Sequence, residues 1–314
     1  MTTMKWRKLG QIITPEKIRR DWMVTHAMDP TVDHLEGDVY RLYFCGRNTN
    51  NQSLIGYADV DISDPSRILS SPENPVLGLG TLGAFDDNGV TASCIVNHKD
   101  KKYLYYIGWK PRSTTRFGLM TGLAISEDNG ATFERYSKAP ILNLTDREPY
   151  SILTAPYVIK DETNWKMWYV SCEGWIHADL PTYNIKLATS ENGIDWDQGG
   201  IVCLDFKDEN ETALARPCVQ KENGIYRMWL SFKTLDQTYR IGYAESNDGI
   251  NWKRMDENVG ITVSESGWDS EMIEYPYVFA HKGTKYMAYN GNGYGVNGAG
   301  LAILEEDSFL SRNP

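Results

Sequence analysis

The sequence predicts an all-β fold, a five-bladed β-propeller of four-stranded antiparallel blades, on three observations. A strand of the type apolar-x-(Tyr/Leu)-Ala recurs five times at a spacing of roughly 55 to 70 residues, a period that signals repeated supersecondary units rather than one continuous sheet. Short β-branched and aromatic runs, drawing on 19 Tyr and 10 Trp, alternate with turn residues as strands do. No segment of the 314 residues sustains the apolar period of a helix.

Each unit opens with a first strand, at residues 28–32, 91–96, 154–158, 215–219 and 275–278. Four carry proline at one register (Pro30, Pro156, Pro217, Pro276), and Ser93 replaces it in the second. Proline suits a strand start, where its missing N–H is tolerated. Tight polar turns at 35–38, 99–101, 161–164, 222–224 and 282–284 read as hairpins. They lead into aromatic second strands at 40–45, 103–109, 166–172, 226–232 and 285–289. The recurring third strands lie at 55–58, 122–126, 185–190, 241–246 and 300–303. After three of these comes a Ser-Asx-Gly segment ending in an aromatic: 126–133 fits Ser-x-Asp-x-Gly, and 190–196 and 246–252 are one residue shorter. It reads as a turn whose Asx and Gly close the loop while Phe133, Trp196 or Trp252 packs between units, rather than as a sialidase signature. The fifth unit leaves almost no chain for a fourth strand. Residues 5–10 resemble the fourth strands after Trp196 and Trp252, so they are expected to pair into the last unit and close the ring. Closure removes open edges, and residues 1–314 then read as a single domain.

Composition narrows the partners. A net charge of −10 without Lys/Arg clusters excludes a nucleic-acid partner. No apolar run reaches the length of a membrane span, so no membrane partner is expected. The start Met1-Thr2-Thr3-Met4-Lys5-Trp6-Arg7 lacks the apolar region of a secretory signal. Five Cys, an odd number without paired spacing, fit free buried thiols in a reduced, cytoplasmic setting. His26, His34, His98, His177 and His281 lack metal-ligand spacing, so no metal is assigned. The segment 290–295 is rich in Gly but opens no helix, so no dinucleotide or other cofactor is expected. The sequence sets no oligomeric state.

The long variable segments all enter first strands or leave second strands, so they share one face, where function usually sits. On that face the residues before the shared proline register form a ring: Asp29, Ala92, Ala155, Arg216 and Tyr275. Glu274 lies one position upstream, although strict strand alternation would aim it away from the side of Asp29. Asp86, Asp87, Glu148, Glu209, Glu211, Asp269 and Glu271 arrive on the inbound loops. Carboxylates with an arginine and aromatics at an axial pocket suit glycosidic-bond chemistry, in which one carboxyl protonates the leaving oxygen and another acts as base or nucleophile. The catalytic candidates are therefore Asp29, Asp87, Glu274, Glu271 and Glu211, whereas Glu148 and Glu209 read as solvated loop charges. Candidates for holding a carbohydrate substrate are His26, Arg47, Trp109, Tyr150, Trp175, Arg216, Trp268 and Tyr275. The aromatics among them, with Tyr294, offer stacking faces for sugar rings.

At Met28-Asp29-Pro30-Thr31-Val32 and Glu274-Tyr275-Pro276, with five such units, the chain resembles the five-bladed β-propeller glycoside hydrolase superfamily of arabinanases, β-xylosidases, invertases and levansucrases. The resemblance spans the whole length as architecture, on short motifs. It implies that Asp29 is base or nucleophile and that a second Asp, nearest to Asp87 here, tunes the acid. It also implies that the acid is the Glu two residues before a proline, Glu274, although in the fifth unit this lies later than is usual. The Trp-Met-Asn-Asp-Pro-Asn signature of invertases is absent. The expected function is a glycosidase-like enzyme that cleaves or transfers a glycosyl unit. A non-hydrolytic glycan-binding propeller and a sugar-tailoring enzyme of glycan synthesis stand as alternatives.

Overall fold

The computed structural model describes residues 3–161 and 164–305. Met1 and Thr2 lie outside the described residues, as do positions 162 and 163 of the turn expected at 161–164. Strand is the main regular structure of the described residues, with only short helical turns beside it. It opens with β1 (Trp6–Ile13), which belongs to the last antiparallel group. The first group is built from β2 (Thr25–Glu36), β3 (Val39–Arg47), β4 (Ser53–Asp61) and β5 (Asp64–Ser70). The second contains β6 (Val90–His98), β7 (Lys101–Pro111), β8 (Phe117–Ser126) and the two-residue β9 (Glu134–Arg135). The third contains β10 (Ile152–Lys160), β11 (Trp165–His177), β12 (Leu180–Ser190) and β13 (Asp197–Leu204). The fourth contains β14 (Glu211–Glu222), β15 (Ile225–Thr234), β16 (Arg240–Ser246) and the short β17 (Lys253–Arg254). The last contains β18 (Glu274–His281), β19 (Thr284–Asn290) and β20 (Ala299–Leu304), and β1 pairs antiparallel with β20 as its fourth strand. Short parallel pairings, β8 with β10 and β12 with β14, join the middle three groups into one twelve-stranded sheet between two four-stranded sheets.

Strand alternation explains how the groups pack. On β3, Tyr40, Leu42 and Phe44 enter one core cluster while Tyr43 and Cys45 enter the next. On β11, Trp165, Met167 and Tyr169 face one cluster and Trp168 another. These second strands are thus buried on both faces, because successive side chains point to opposite sides. All five Cys are free and buried.

One contact repeats between consecutive groups. Tyr43 Oη donates to Gly130 O at 2.9 Å, Tyr105 Oη to Gly193 O at 2.7 Å, and Trp168 Nε1 to Gly249 O at 2.8 Å. The three acceptors are the glycines of these Ser-Asx-Gly turns, at φ 81°, 75° and 76°. Ser126, Ser190 and Ser246 fold these turns by accepting the glycine N–H on Oγ at 2.8–2.9 Å. The aromatic that follows wedges on the same partner: Phe133 lies 5.6 Å from Tyr43, Trp196 6.1 Å from Tyr105 and Trp252 6.0 Å from Trp168. Trp6 of β1 meets Trp229 of β15 at 6.4 Å in the corresponding place. These segments are structural turns and wedges.

The first strands share a distortion at the proline register. Asp29, Ala155, Arg216 and Tyr275, each preceding a proline, take left-handed backbone at φ 59°, 47°, 50° and 56°. At each one the pairing with the second strand skips two residues, Asp29–Pro30, Ala155–Pro156, Arg216–Pro217 and Tyr275–Pro276. The group with Ser93 skips one. These are β-bulges, which bend a strand and re-aim its side chains.

The tyrosine–glycine contact makes a stability prediction. Tyr105→Phe leaves the buried Gly193 carbonyl without its donor and is expected to cost about 1–3 kcal/mol. Exposed Tyr136→Phe is expected to stay within about 0.5 kcal/mol of wild type. Denaturant unfolding of the two variants measures both.

Candidate functional site

The bulges converge on a cavity of about 240 Å³. Its lining includes Asp29, Ala155, Arg216 and Tyr275, which are the residues preceding the four prolines. It also includes Met28, Thr154 and Ala215, one position upstream. A regular strand would turn one of each such pair away. The left-handed residue breaks the alternation at Asp29, Ala155 and Arg216, whereas at Tyr275 the upstream Glu274 stays out of the lining, as strand alternation led one to expect.

Asp29 is 4% exposed. Its N–H donates to Asn290 Oδ1 at 2.9 Å, and Arg216 Nη2 stands 3.8 Å from its Oδ1. Arg216 is fixed by donating to Ala92 O at 2.7 Å, and its guanidinium lies 5.4 Å from the Tyr275 ring. Asn290 Nδ2 also reaches Glu274 Oε1 at 3.5 Å, so one amide spans both carboxyl residues. Glu274 is fully buried, and its Oε2 has no hydrogen-bond partner. It stands behind the cavity wall rather than in the lining.

Burial pushes the Asp29 carboxyl above its ordinary value, against the pull of Arg216 and Arg47. Burial pushes Glu274 well above the usual carboxylate range, and the charge of Asp29 adds to the rise, against Asn290, Arg216 and Lys233. An acid kept neutral beside a carboxylate is the arrangement that separates proton donor from base.

Arg47, Trp109, Tyr275 and Tyr294 join Asp29 and Arg216 in the lining, as their loops and strands suggested. Trp109 Nε1 donates to Thr91 Oγ1 at 3.0 Å, and its ring meets Phe117 edge-on at 5.5 Å. Trp175 packs behind Phe117 at 5.8 Å and does not reach the lining. His26 also stays outside it, with Nδ1 2.9 Å from Thr25 Oγ1. Burial and then Arg47 hold that imidazole down at about 4. Tyr150 is an exposed loop residue. Trp268 stacks on Tyr289 at 5.2 Å and covers Gly291 and Gly300, where a Cβ would come within 2.3 and 2.4 Å of its ring.

The inbound-loop carboxylates are not gathered at Asp29. Asp87 Oδ2 accepts from Gly83 N at 2.8 Å and Lys110 Nζ at 3.0 Å, which closes its own loop. Glu209 and Glu271 are exposed. The remaining four follow one plan: a buried carboxylate ties its loop to a cation from an outer strand. Asp86 takes Arg135 Nε at 2.7 Å and Tyr106 Oη at 2.9 Å. Glu148 takes Tyr169 Oη at 2.9 Å, with Lys186 at 3.7 Å, so it is buried rather than the solvated charge expected from the sequence. Glu211 takes Arg254 Nη1 at 2.7 Å, and Asp269 takes Lys8 Nζ at 2.7 Å and Tyr289 Oη at 3.0 Å.

Sequence reasoning missed Asn290, Lys233, Tyr183 and Tyr239. Asn290, Ser231 and Cys45 occupy one register on second strands, each opposite the residue two before a proline. Each accepts the N–H of the next group's ring residue, from Asp29, Tyr275 and Ala92 respectively. Aligning the second strands as the first strands were aligned would have exposed that register.

No protein-family model matches the sequence. Two proteins of Mycobacterium tuberculosis, each described as an uncharacterized protein, are 43% identical over 303 residues: MT1551 of strain CDC 1551 / Oshkosh and Rv1502 of strain ATCC 25618 / H37Rv. The match covers 96% of this chain and all of each relative. The chain belongs to the family of these two mycobacterial proteins. Its fold is that of solved glycoside hydrolases. One solved glycoside hydrolase superposes with a TM-score of 0.75 at 19% identity, covering 96% of this chain and 92% of its own. A thermostable family-43 glycoside hydrolase matches with a TM-score of 0.65 at 16% identity, covering 90% and 89%. The Podospora anserina α-L-arabinofuranosidase PaAbf62A, solved with cellotriose, matches with a TM-score of 0.67 at 11% identity, covering 96% and 97%.

Two outcomes follow for this site. A carboxyl raised by folding binds a proton that the unfolded chain releases, so wild-type stability falls as pH rises past the ordinary carboxylate range. Glu274→Gln is therefore expected to be more stable than wild type at pH 8, with the gap closing on acidification to pH 4, measured by thermal melts across pH. Arg254→Met strands a buried Glu211 and is expected to cost about 3–5 kcal/mol in denaturant unfolding.

Proposed function

We propose that the protein is a carbohydrate-active enzyme of glycosidase type, built as a single five-bladed propeller. Five four-stranded groups support the blade count, with β1 completing the last one. Closure is supported at the join: β2 packs against both β6 and β18, and Asn290 of β19 accepts the N–H of Asp29. The observation that carries the function is the pair Asp29 and Glu274, bridged by Asn290 at the end of an aromatic-walled cavity.

In this reading Asp29 is the base or nucleophile. The Arg216 guanidinium favours its charged form and holds its carboxyl toward the cavity. Glu274, neutral and poised behind the wall, supplies the proton to the leaving oxygen. Tyr275 and Trp109 provide sugar-stacking faces. Asn290 holds the Asp29 backbone N–H and the Glu274 carboxyl without touching substrate.

A binding protein without hydrolysis is the second reading, and one observation favours it: Glu274 is absent from the cavity lining. Turnover separates the two. With a panel of aryl glycosides and oligosaccharides, Asp29→Asn is expected to lower kcat by roughly 10²–10⁴-fold, the usual worth of one acid–base group. Exposed Glu271→Gln is expected to leave kcat unchanged. Sugar binding by wild type with no turnover on any member of the panel would establish the binding protein instead.

A further inference from the structure

The charges lining the cavity do not balance. Four cations, Arg47, Arg116, Arg216 and Lys233, face two carboxylates, Asp29 and Asp179. Arg216 is matched by Asp29 at 3.8 Å. Among the described residues no ion pair involves Arg47, Arg116 or Lys233. Arg47 donates to neutral acceptors, Asn51 Oδ1 at 3.1 Å and Met28 Sδ at 3.9 Å. Lys233 lies 5.4 Å from the Tyr239 ring. Arg47 and Lys233 are half-buried, and burial, its largest cause, lowers the proton affinity of each. Asp29 pulls Arg47 back up and Glu274 pulls Lys233 back up, while the like charge of Arg116 at the rim adds to the lowering of both.

Partly desolvated cations sharing one cavity raise each other's energy unless a negative charge joins them. Elsewhere in this molecule buried cations have carboxylates: Arg41 with Asp59, Lys102 with Asp33, Arg254 with Glu211. In the cavity three cations of the lining stand without such a partner among the described residues, and an anion arriving from outside would balance them. The aromatic walls, Trp109, Tyr239, Tyr275 and Tyr294, suit a sugar ring attached to that anion.

We propose that the cavity takes an anionic saccharide, its acidic group held by Arg47, Arg116 and Lys233 while the ring lies toward Asp29. This rests on the carbohydrate reading above and specifies its substrate class. A uronate carboxylate and a sugar phosphate present the same chemistry, an anion on a sugar, and charge-assisted hydrogen bonds from two or three cations would recognise either.

The test is calorimetric titration of the full chain with methyl glucuronide, glucose 1-phosphate and, as the neutral counterpart, methyl glucoside. One or both anions are expected to bind about tenfold or more tightly than the glucoside, as one charge-assisted hydrogen bond is worth about 1.5–3 kcal/mol. The margin is expected to shrink with added salt. Lys233→Met and Arg116→Met are each expected to weaken the anion and leave the glucoside unchanged, with near-UV circular dichroism confirming the native fold. A preference for glucuronide identifies the uronate source, and a preference for the phosphate identifies a phosphorylated sugar. Equal affinity for the glucoside, binding of neither anion, or anion binding indifferent to both substitutions would overturn the proposal. Turnover keeps the two ideas apart. Hydrolysis of neutral glycosides that depends on Asp29 would leave the enzyme reading standing and this one fallen. Tight anion binding without any Asp29-dependent turnover would do the reverse.

Discussion

The left-handed residue ahead of each inner-strand proline is the constraint on which the site depends. Asp29, Ala155, Arg216 and Tyr275 adopt a backbone that disfavours any residue with a Cβ, at about 1–3 kcal/mol each. Proline worsens the conflict, because it pushes the residue before it toward extended backbone. The conformation persists because each bulge is fixed from both sides. The second strand of the same group pairs above and below it, and a side chain of the preceding group takes its N–H at Asp29 and Tyr275. The result is that two consecutive side chains per strand reach the cavity at Asp29, Ala155 and Arg216. A ring of regular strands would deliver one.

The treatment of buried carboxylates divides scaffold from site. Asp86, Glu148, Glu211 and Asp269 each meet a cation on an outer strand, and three also accept a tyrosine hydroxyl. Such groups hold inbound loops in place, since an unpaired buried charge costs several kcal/mol. Glu274 is treated differently. Its neighbour is a neutral amide at 3.5 Å, one oxygen has no partner, and Asp29 is close enough to oppose its ionisation. A carboxyl raised in this way is costly to the fold at neutral pH.

The cations sort by the same logic. Arg41, Lys102 and Arg254 in the scaffold have carboxylates, and Arg216 has Asp29. Arg47 and Lys233 stand in the cavity wall with neutral or aromatic neighbours. The excess positive charge inside an otherwise acidic protein of net charge −10 concentrates attraction for anions at one place.

What the sequence by itself determined was the repeat. The strand types, the tight turns, the Ser-Asx-Gly segments and the pairing of residues 5–10 with the last strands were all legible, because hydrophobic period and turn chemistry are local. So was the ring of Asp29, Arg216 and Tyr275, because a shared proline marks one register in every unit. What only the tertiary structure decided was which charged side chains point where. Glu211 and Asp87 look like equals of Glu274 in sequence, yet Arg254 and Lys110 on other strands engage them, and Glu148, which reads as a solvated charge, is buried against Tyr169. The fate of Glu274 was hidden for a further reason. Alternation turns it out of the cavity lining, but its closeness to Asp29 comes from strands at opposite ends of the chain, which only packing brings together.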